Sequence, residues 1–343
     1  MSRYAAVHSN PQGPGDTRPT ALQIIQDNKL EAKLVGKVVV ITGISAGLGV
    51  EVVRALAATG ATLYLTARDI SKAEHALGDI LQQDRMHLIQ MDHASLSSVR
   101  EASQTILTKT STVNSTGINL LLCNAGVMCL PTRELTPDGH EVQFQTNHLS
   151  HFLLFSILKP ALLRGAAASP DFHSRVVMVS ASGHRAHGLN GSDNYNFEQG
   201  GYQPWGAYAQ SKTANIYMAN EIERRYGARG IHGLSLHPGI IQTGLSRHLP
   251  RETVAAMLAN ETIVRGAKNP EQGAATIVYA AVDRDWEGKG GRYLIDCGEA
   301  ERGDDDGDIT SLTHTSHTYD EENEGRLWRD SERIVGVVGE SDV

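Results

Sequence analysis

Val38-Val-Val-Ile-Thr42-Gly43-Ile-Ser-Ala-Gly47-Leu-Gly49 is the stretch that decides the fold. Val38, Val39, Val40 and Ile41 form a β-branched run, which suits a strand buried on both faces. The chain then breaks, and a helical pattern resumes at Leu48, Val52, Ala55 and Leu56. Strand, glycine-rich turn and helix start together make a phosphate cradle. Glycines let the backbone approach an anion, and the free N–H groups and dipole of a helix start favour negative charge there. A glycine triplet alone also fits a plain βα turn. The spacing here is TGxxxGxG rather than GxGxxG.

Outward from this turn, strand and helix patterns alternate. Strands are predicted over 62–66, 86–91, 119–123, 175–179, 231–237 and 292–295. Helices are predicted over 71–83, 95–111, 137–163, 208–226 and 270–281. Such alternation implies an α/β fold of about seven strands: a doubly wound parallel sheet, Rossmann-type, in a single domain, with ligands at the carboxyl ends of its strands. A short helix over 19–34 precedes it, so residues 1–36 read as an N-terminal extension and 37–298 as the catalytic domain. Beyond it, six acids between Glu299 and Asp308 read as a solvated loop. An amphipathic helix over 320–335 carries Leu327, Trp328, Ser331 and Val335 on one stripe. Residues 299–343 are therefore expected to be an acidic loop and a helix docked on the domain.

Composition narrows the function. A net charge of −8 argues against a nucleic-acid or polybasic membrane role. The three cysteines show no CxxC spacing, so buried free thiols in a reducing compartment are expected. The fifteen histidines show no HExxH or paired-ligand spacing, so no metal site is expected. No run approaches the ~20 apolar residues of a spanning helix. The first twenty residues lack the apolar core of a signal peptide. The chain reads as soluble and cytoplasmic.

Three further stretches bear on chemistry. Cys123-Asn124-Ala125-Gly126 closes the fourth predicted strand with small residues. Tyr208-Ala-Gln-Ser-Lys212 puts a phenol and an ammonium on one helix face, four residues apart. A nearby cation favours the phenolate and brings its pKa of about 10 toward the working range of an acid/base group. His237-Pro238-Gly239-Ile240-Ile241-Gln242-Thr243 ends the sixth strand.

Together with the TGxxxGxG turn, these stretches resemble the short-chain dehydrogenase/reductase family over roughly residues 37–295. The long segment before Tyr208 and the HPG turn look closest to its retinol-dehydrogenase-like branch and the fungal relatives of that branch. The resemblance implies an NADP(H)-dependent oxidoreductase that reduces a ketone or aldehyde, or oxidises the alcohol, with Tyr208 as general acid/base. Lys212 would also bind the nicotinamide ribose, and Asn147 would complete a proton relay. Cofactor contacts would fall on Gly43, Ser45, Ala46, Gly47, Leu48 and Gly49, then Asp92, Asn124, Ala125 and Gly126, and finally Pro238, Gly239, Ile241 and Thr243. Arg68, after the second strand, suits a 2′-phosphate and hence NADP(H), although Asp69 beside it could serve NAD.

At one place the chain departs from the family. The usual pair of serines reads Ser180-Ala181-Ser182, so the serine that bonds the substrate oxygen is Ser182, Ser180 or missing; Ser182 is the one expected. Aromatic residues between Gly188 and Trp205, and a lid over 244–267, point to an apolar or ring-bearing small-molecule substrate, or equally to packing of a long loop. Relatives dimerise through helices matching 137–163 and 208–226, which suggests a homodimer or tetramer. An isomerase or dehydratase on the same fold, and a catalytically weak NADP(H)-binding scaffold, are the alternatives.

Overall fold

The computed structural model describes residues 2–113 and 117–337. Strands β1 (Val38–Thr42), β2 (Thr62–Ala67), β3 (Met86–Gln90), β4 (Leu120–Cys123), β5 (Ser174–Val179), β6 (Ile231–His237), β7 (Arg292–Ile295) and β8 (Gly298–Glu299) join in one sheet. Their spatial order is β3-β2-β1-β4-β5-β6-β7-β8. The first seven run parallel, and β8 turns back antiparallel on β7. Order reverses between β1 and β4, which makes their carboxyl ends the expected ligand crevice.

Side chains alternate across this sheet, as the strand period requires. Val39 and Ile41 face a layer built from α1 (Ala21–Asp27), α2 (Leu48–Ala57), α3 (Ile70–Leu77) and a later helix over Ala275–Val282. Val38 and Val40 face the opposite layer of α4 (Leu96–Val113), α5 (Ser150–Ala167) and α6 (Pro204–Tyr226). The last helix, Glu321–Val335, also lies on that side: Trp328 stacks edge-on against Phe152 of α5, with ring centroids 4.9 Å apart. The predicted stripe of Leu327, Trp328, Ser331 and Val335 is buried.

Three expected helices differ. The helix over 19–34 is cut to α1, because the Asn28 side chain donates to the Ile24 carbonyl and Lys29 turns left-handed (φ 55°). The helix over 71–83 stops at Leu77, where Gly78 takes φ 47°. The long helix over 137–163 starts only at Val142, capped by the Glu141 carboxylate, and passes through a π-helical turn at Gln145–Leu149. The acidic run is the solvated loop expected, its six acids exposed; it is tied down where Asp304 and Asp308 accept through their carbonyls, and Asp306 through its carboxylate, from the buried Arg185 guanidinium. Among the described residues no helix is long and apolar enough to cross a membrane.

Candidate active site

The glycine turn closes as its residues dictate. Ile44 is buried, while Ser45, Ala46 and Gly47 stay at the rim. Gly43 has φ 74°, and a Cβ there would stand 2.7 Å from Cα of Ala125. On Gly49 it would stand 2.1 Å from the Gly43 carbonyl oxygen, so neither position admits a side chain. Gly47 precedes Leu48 at the start of α2 with no side-chain cap, leaving the first helical N–H groups toward the crevice.

Beside this turn, the Thr42 hydroxyl gathers the ends of β1 and β4. It accepts from the N–H groups of Asn124 and Ala125, both at 3.0 Å, and it meets His151 Nε2 at 2.9 Å. His151 Nδ1 lies 2.9 Å from the Asn147 carbonyl, which only accepts, so Nδ1 carries the proton and Nε2 takes the Thr42 hydrogen. Asn147 lies in the π-helical turn. Its Oδ1 accepts from Val127 N at 2.8 Å, and its Nδ2 donates to the Ser211 hydroxyl at 2.8 Å and the Val127 carbonyl at 3.0 Å. Its side chain is therefore a saturated brace. His151 is a residue that sequence reading missed; its place one turn beyond Asn147 was the available signal.

Tyr208 and Lys212 share one face of α6, both 4 % exposed. Lys212 Nζ stands 5.6 Å from the Tyr208 ring centroid and donates to the Val179 carbonyl at 2.9 Å. A Cβ on Gly126 would be 3.5 Å from that ammonium and 3.0 Å from Asn147 Oδ1, so the β4 end, the π-helical turn and α6 converge. Burial dominates both pKa values. It pushes the Tyr208 phenol upward, with the Cys129 thiol adding to it, and brings the Lys212 ammonium down to about 8. The lowered phenol expected from the cation does not result, because desolvation of the phenolate outweighs a cation held at this distance.

The serine question becomes geometric. Ser180 donates its hydroxyl to the Lys212 carbonyl at 2.8 Å, facing the helix backbone. Ala181 packs in the cluster that holds Tyr208. Ser182 follows, its N–H donating to His237 Nδ1 at 3.1 Å, and a Cβ on Gly183 would lie 3.2 Å from the Tyr208 ring.

Similarity to known proteins agrees with this geometry. The family model for short chain dehydrogenases matches residues 37–192. Short-chain dehydrogenase/reductase prx1 of Penicillium roqueforti is 45 % identical over 98 % of this chain and 95 % of its own length. This chain belongs to the short-chain dehydrogenase/reductase family. It is an oxidoreductase of that family. Retinol dehydrogenase 14 of Mus musculus is 34 % identical, covering 88 % of this chain and 87 % of its own. A crystal structure of a putative uncharacterized protein from Mycobacterium paratuberculosis superposes with a TM-score of 0.65 at 28 % identity, covering 95 % and 98 % of the two chains.

The remaining candidate positions of this short-chain dehydrogenase line the same end of the sheet. Arg68 is exposed just past β2, and the Asp69 carboxylate caps α3 by accepting from Lys72 N at 2.9 Å. Asp92 shapes its own turn, accepting from Ala94 N at 2.9 Å. In the turn after β6, a Cβ on Gly47 would reach Cγ2 of Thr243 at 3.4 Å, which brings Thr243 over the glycine turn. Ile240 and Ile241 are pinned by Lys268, whose N–H donates to the Ile240 carbonyl at 2.8 Å. Lys268 itself is a buried cation that the sequence reading passed over: Nζ reaches Asp296 at 2.6 Å and the Pro238 carbonyl at 3.3 Å.

The wall around Tyr208 is apolar. It consists of Met128, Cys129, Ala181, Trp205, Leu249, Val254 and Met257. Of the aromatic residues expected there, Trp205 faces Tyr208 (ring centroids 6.1 Å apart). Tyr195 instead stacks on Phe144, and Phe197 meets Tyr202 edge-on. Those three anchor the long loop. The three thiols are free and buried, and among the described residues no cluster of acids, histidines and cysteines could hold a metal.

Proposed function

We propose that this chain is an NADP(H)-dependent carbonyl reductase, or the corresponding alcohol dehydrogenase, acting on an apolar, uncharged small molecule in a reducing, cytoplasmic setting. The observation that carries the reading is the buried phenol of Tyr208, packed in an apolar cluster with a buried ammonium one helical turn away.

The residues fit a dinucleotide. Two glycines are barred from carrying a side chain by the neighbouring backbone, so the turn folds tightly against β4 and leaves the uncapped start of α2 to receive a pyrophosphate. Gly43 through Gly49 would hold the phosphates, Asp92 the adenine, and Asn124, Ala125 and Gly126 the riboses. Pro238, Gly239, Ile241 and Thr243 would cover the nicotinamide end. Asp69 is committed to capping α3, whereas Arg68 is exposed and its forked donors match a 2′-phosphate, which favours NADP(H). A nicotinamide dinucleotide held by these residues would supply the hydride donor or acceptor for the carbonyl carbon.

The chain's own residues would manage the proton. Tyr208 donates it to the substrate oxygen. Lys212 is charged below pH 8, and that charge opposes the cost of forming a buried phenolate. Asn147 would take part through the second lone pair of its main-chain carbonyl, which already accepts from His151 Nδ1, since its side-chain amide is fully engaged. Ser182 is the serine left to bond the substrate oxygen, because Ser180 is spent on the helix backbone. The apolar wall excludes water and selects an apolar substrate.

The test is NADPH absorbance with a panel of ketones and aldehydes, beside a cofactor-binding titration. Tyr208→Phe should lower kcat by about 10²- to 10⁴-fold while cofactor binding stays intact. Arg68→Ala should raise KM for NADPH about tenfold or more and leave that for NADH alone. Binding without turnover, unaltered in Tyr208→Phe, would point to a scaffold instead. Product formed with no net cofactor consumption would point to an isomerase.

A further inference from the structure

Residues 244–267 form a two-helix lid over Tyr208: a 3-10 turn at Gly244–His248, then helices Arg251–Ala259 and Glu261–Gly266. Leu249, Val254 and Met257 point into the Tyr208 cluster, while Leu258 and Val264 are exposed on its outside. The two ends of the lid are held very differently. At the near end the hydrogen bonds are local to the turn: Leu245 N donates to the Thr243 hydroxyl at 3.3 Å, and Arg247 donates to the Gly244 carbonyl at 2.9 Å.

At the far end, the carbonyls of Gly266 and Ala267 accept from Arg18 at 2.7 and 2.6 Å. Arg18 is 4 % exposed, and it also donates to the Gly13 carbonyl at 3.1 Å and to Asp16 at 2.8 Å. Gln272 completes the clasp, accepting from Gly15 N at 2.9 Å and donating to Asp16 at 3.0 Å. The next residue after the lid is Lys268, which pins the Pro238–Ile241 turn and pairs with Asp296. His8 of the same N-terminal segment stands 3.4 Å from that Asp296 carboxylate.

We propose that Arg18 is a positioning residue: the N-terminal strap fixes where the lid re-enters the fold, and so sets how often the Tyr208 pocket opens. The lid's role in substrate capture rests on the reductase reading above; the latch itself does not. Physically, a flap pivots about its fixed end, so loosening that end frees the whole flap. Removing the guanidinium strips two carbonyls of their donors, and they regain hydrogen bonds most readily by swinging into water. Lysine offers three donors on a single nitrogen and cannot span both carbonyls, Gly13 and Asp16 at once.

Limited trypsinolysis of the full chain reads the latch without any turnover, because Arg247, Arg251 and Arg265 lie in the lid. Arg18→Ala should speed cleavage at these three sites about tenfold, with other sites unaffected, and Arg18→Lys should fall between. With a carbonyl substrate, the Arg18→Ala KM should rise about tenfold while kcat stays within about twofold, as for a loss of uniform binding. Unchanged lid cleavage overturns the proposal, as does a rise spread evenly over the chain. A wild-type protein that reduces no carbonyl sinks the reductase reading and leaves the cleavage result to decide the latch. Should Arg18→Ala not fold, Gln272→Ala loosens Asp16 and Gly15 and is judged by the same cleavage pattern.

Discussion

Ala181 packs in the cluster that holds Tyr208, at the place where the family pattern puts a serine. Ser180 is spent on the Lys212 carbonyl, so on the reductase reading a second donor to the substrate oxygen would come from Ser182, one residue along. Its backbone is steadied by His237, which accepts the Ser182 N–H on Nδ1. Removing one preorganised donor from such a site costs roughly 10²- to 10³-fold in kcat. Ser182→Ala should accordingly lower kcat by at least about tenfold, the smaller value reflecting a less direct approach. Adding Ala181→Ser to that variant should restore most of the loss, because the new hydroxyl would face Tyr208 directly. Steady-state kcat of the single and double variants checks this. No loss in Ser182→Ala would leave Tyr208 as the sole donor.

The C-terminal helix Glu321–Val335 shows what an element contributes beyond its own length. It lies across α5 and α6, the two helices on which the sequence suggests a dimer. Trp328 is 3 % exposed there, surrounded by Phe152, Phe155 and Tyr226, with the Arg225 guanidinium 4.8 Å over its ring. Truncating it should cost about 3–5 kcal/mol in urea unfolding. The wild-type chain is expected to elute as a monomer on sizing, because this helix covers the face. Trp328→Ala should associate as its concentration rises, because it bares an apolar patch. A wild-type dimer would show that the contact lies elsewhere. This stripe was readable in advance since Leu327, Trp328, Ser331 and Val335 recur at helical spacing. The β1 run and the Tyr208–Lys212 pair were readable for the same reason: each pattern is local. The π-helical turn at Gln145–Leu149 was not. Its irregularity goes with Asn147 bracing Val127, twenty residues away in sequence. Nor was the clasp of Arg18 on Gly266, which joins positions 248 apart. Long-range partners leave no periodicity to read.

Across the whole molecule, the two segments flanking the strand-and-helix core are fastened by buried arginines: Arg18 holds the N-terminal strap, and Arg185 gathers the acidic run. The interior also encloses an unusual set of bases. His93, His148, His151, His184 and His237 are all buried. Burial lowers every one of them: His93 and His237 to about 4, His148 and His184 to about 3, and His151 well below its ordinary value. Neighbours add to this, since His93 and His151 lie ring to ring at 4.6 Å and Lys268 faces His237. Between the unfolded value of about 6.5 and the folded values, the unfolded chain binds more protons than the native one. Stability therefore rises with pH across that window, and it falls as pH drops from about 6.5 toward 4, each group contributing up to about 1.4 kcal/mol per pH unit. The carboxylates act in a lower range: Asp296 is held down by Lys268 and Glu287 chiefly by the His173 N–H and Arg175, so what they contribute persists until pH falls below the ordinary carboxylate range. Urea unfolding at pH 7.5, 6.5, 5.5 and 4.5 should show a plateau at neutral pH and a steepening decline below about 6.5. His93→Asn, which can keep a hydrogen bond to Ser150, removes one titrating group and should make that decline shallower. Stability that stayed level down to pH 5 would mean the histidines gain protons inside the native fold, and the buried network around Thr42, His151 and Asn147 would then have to be redrawn with a charged imidazole.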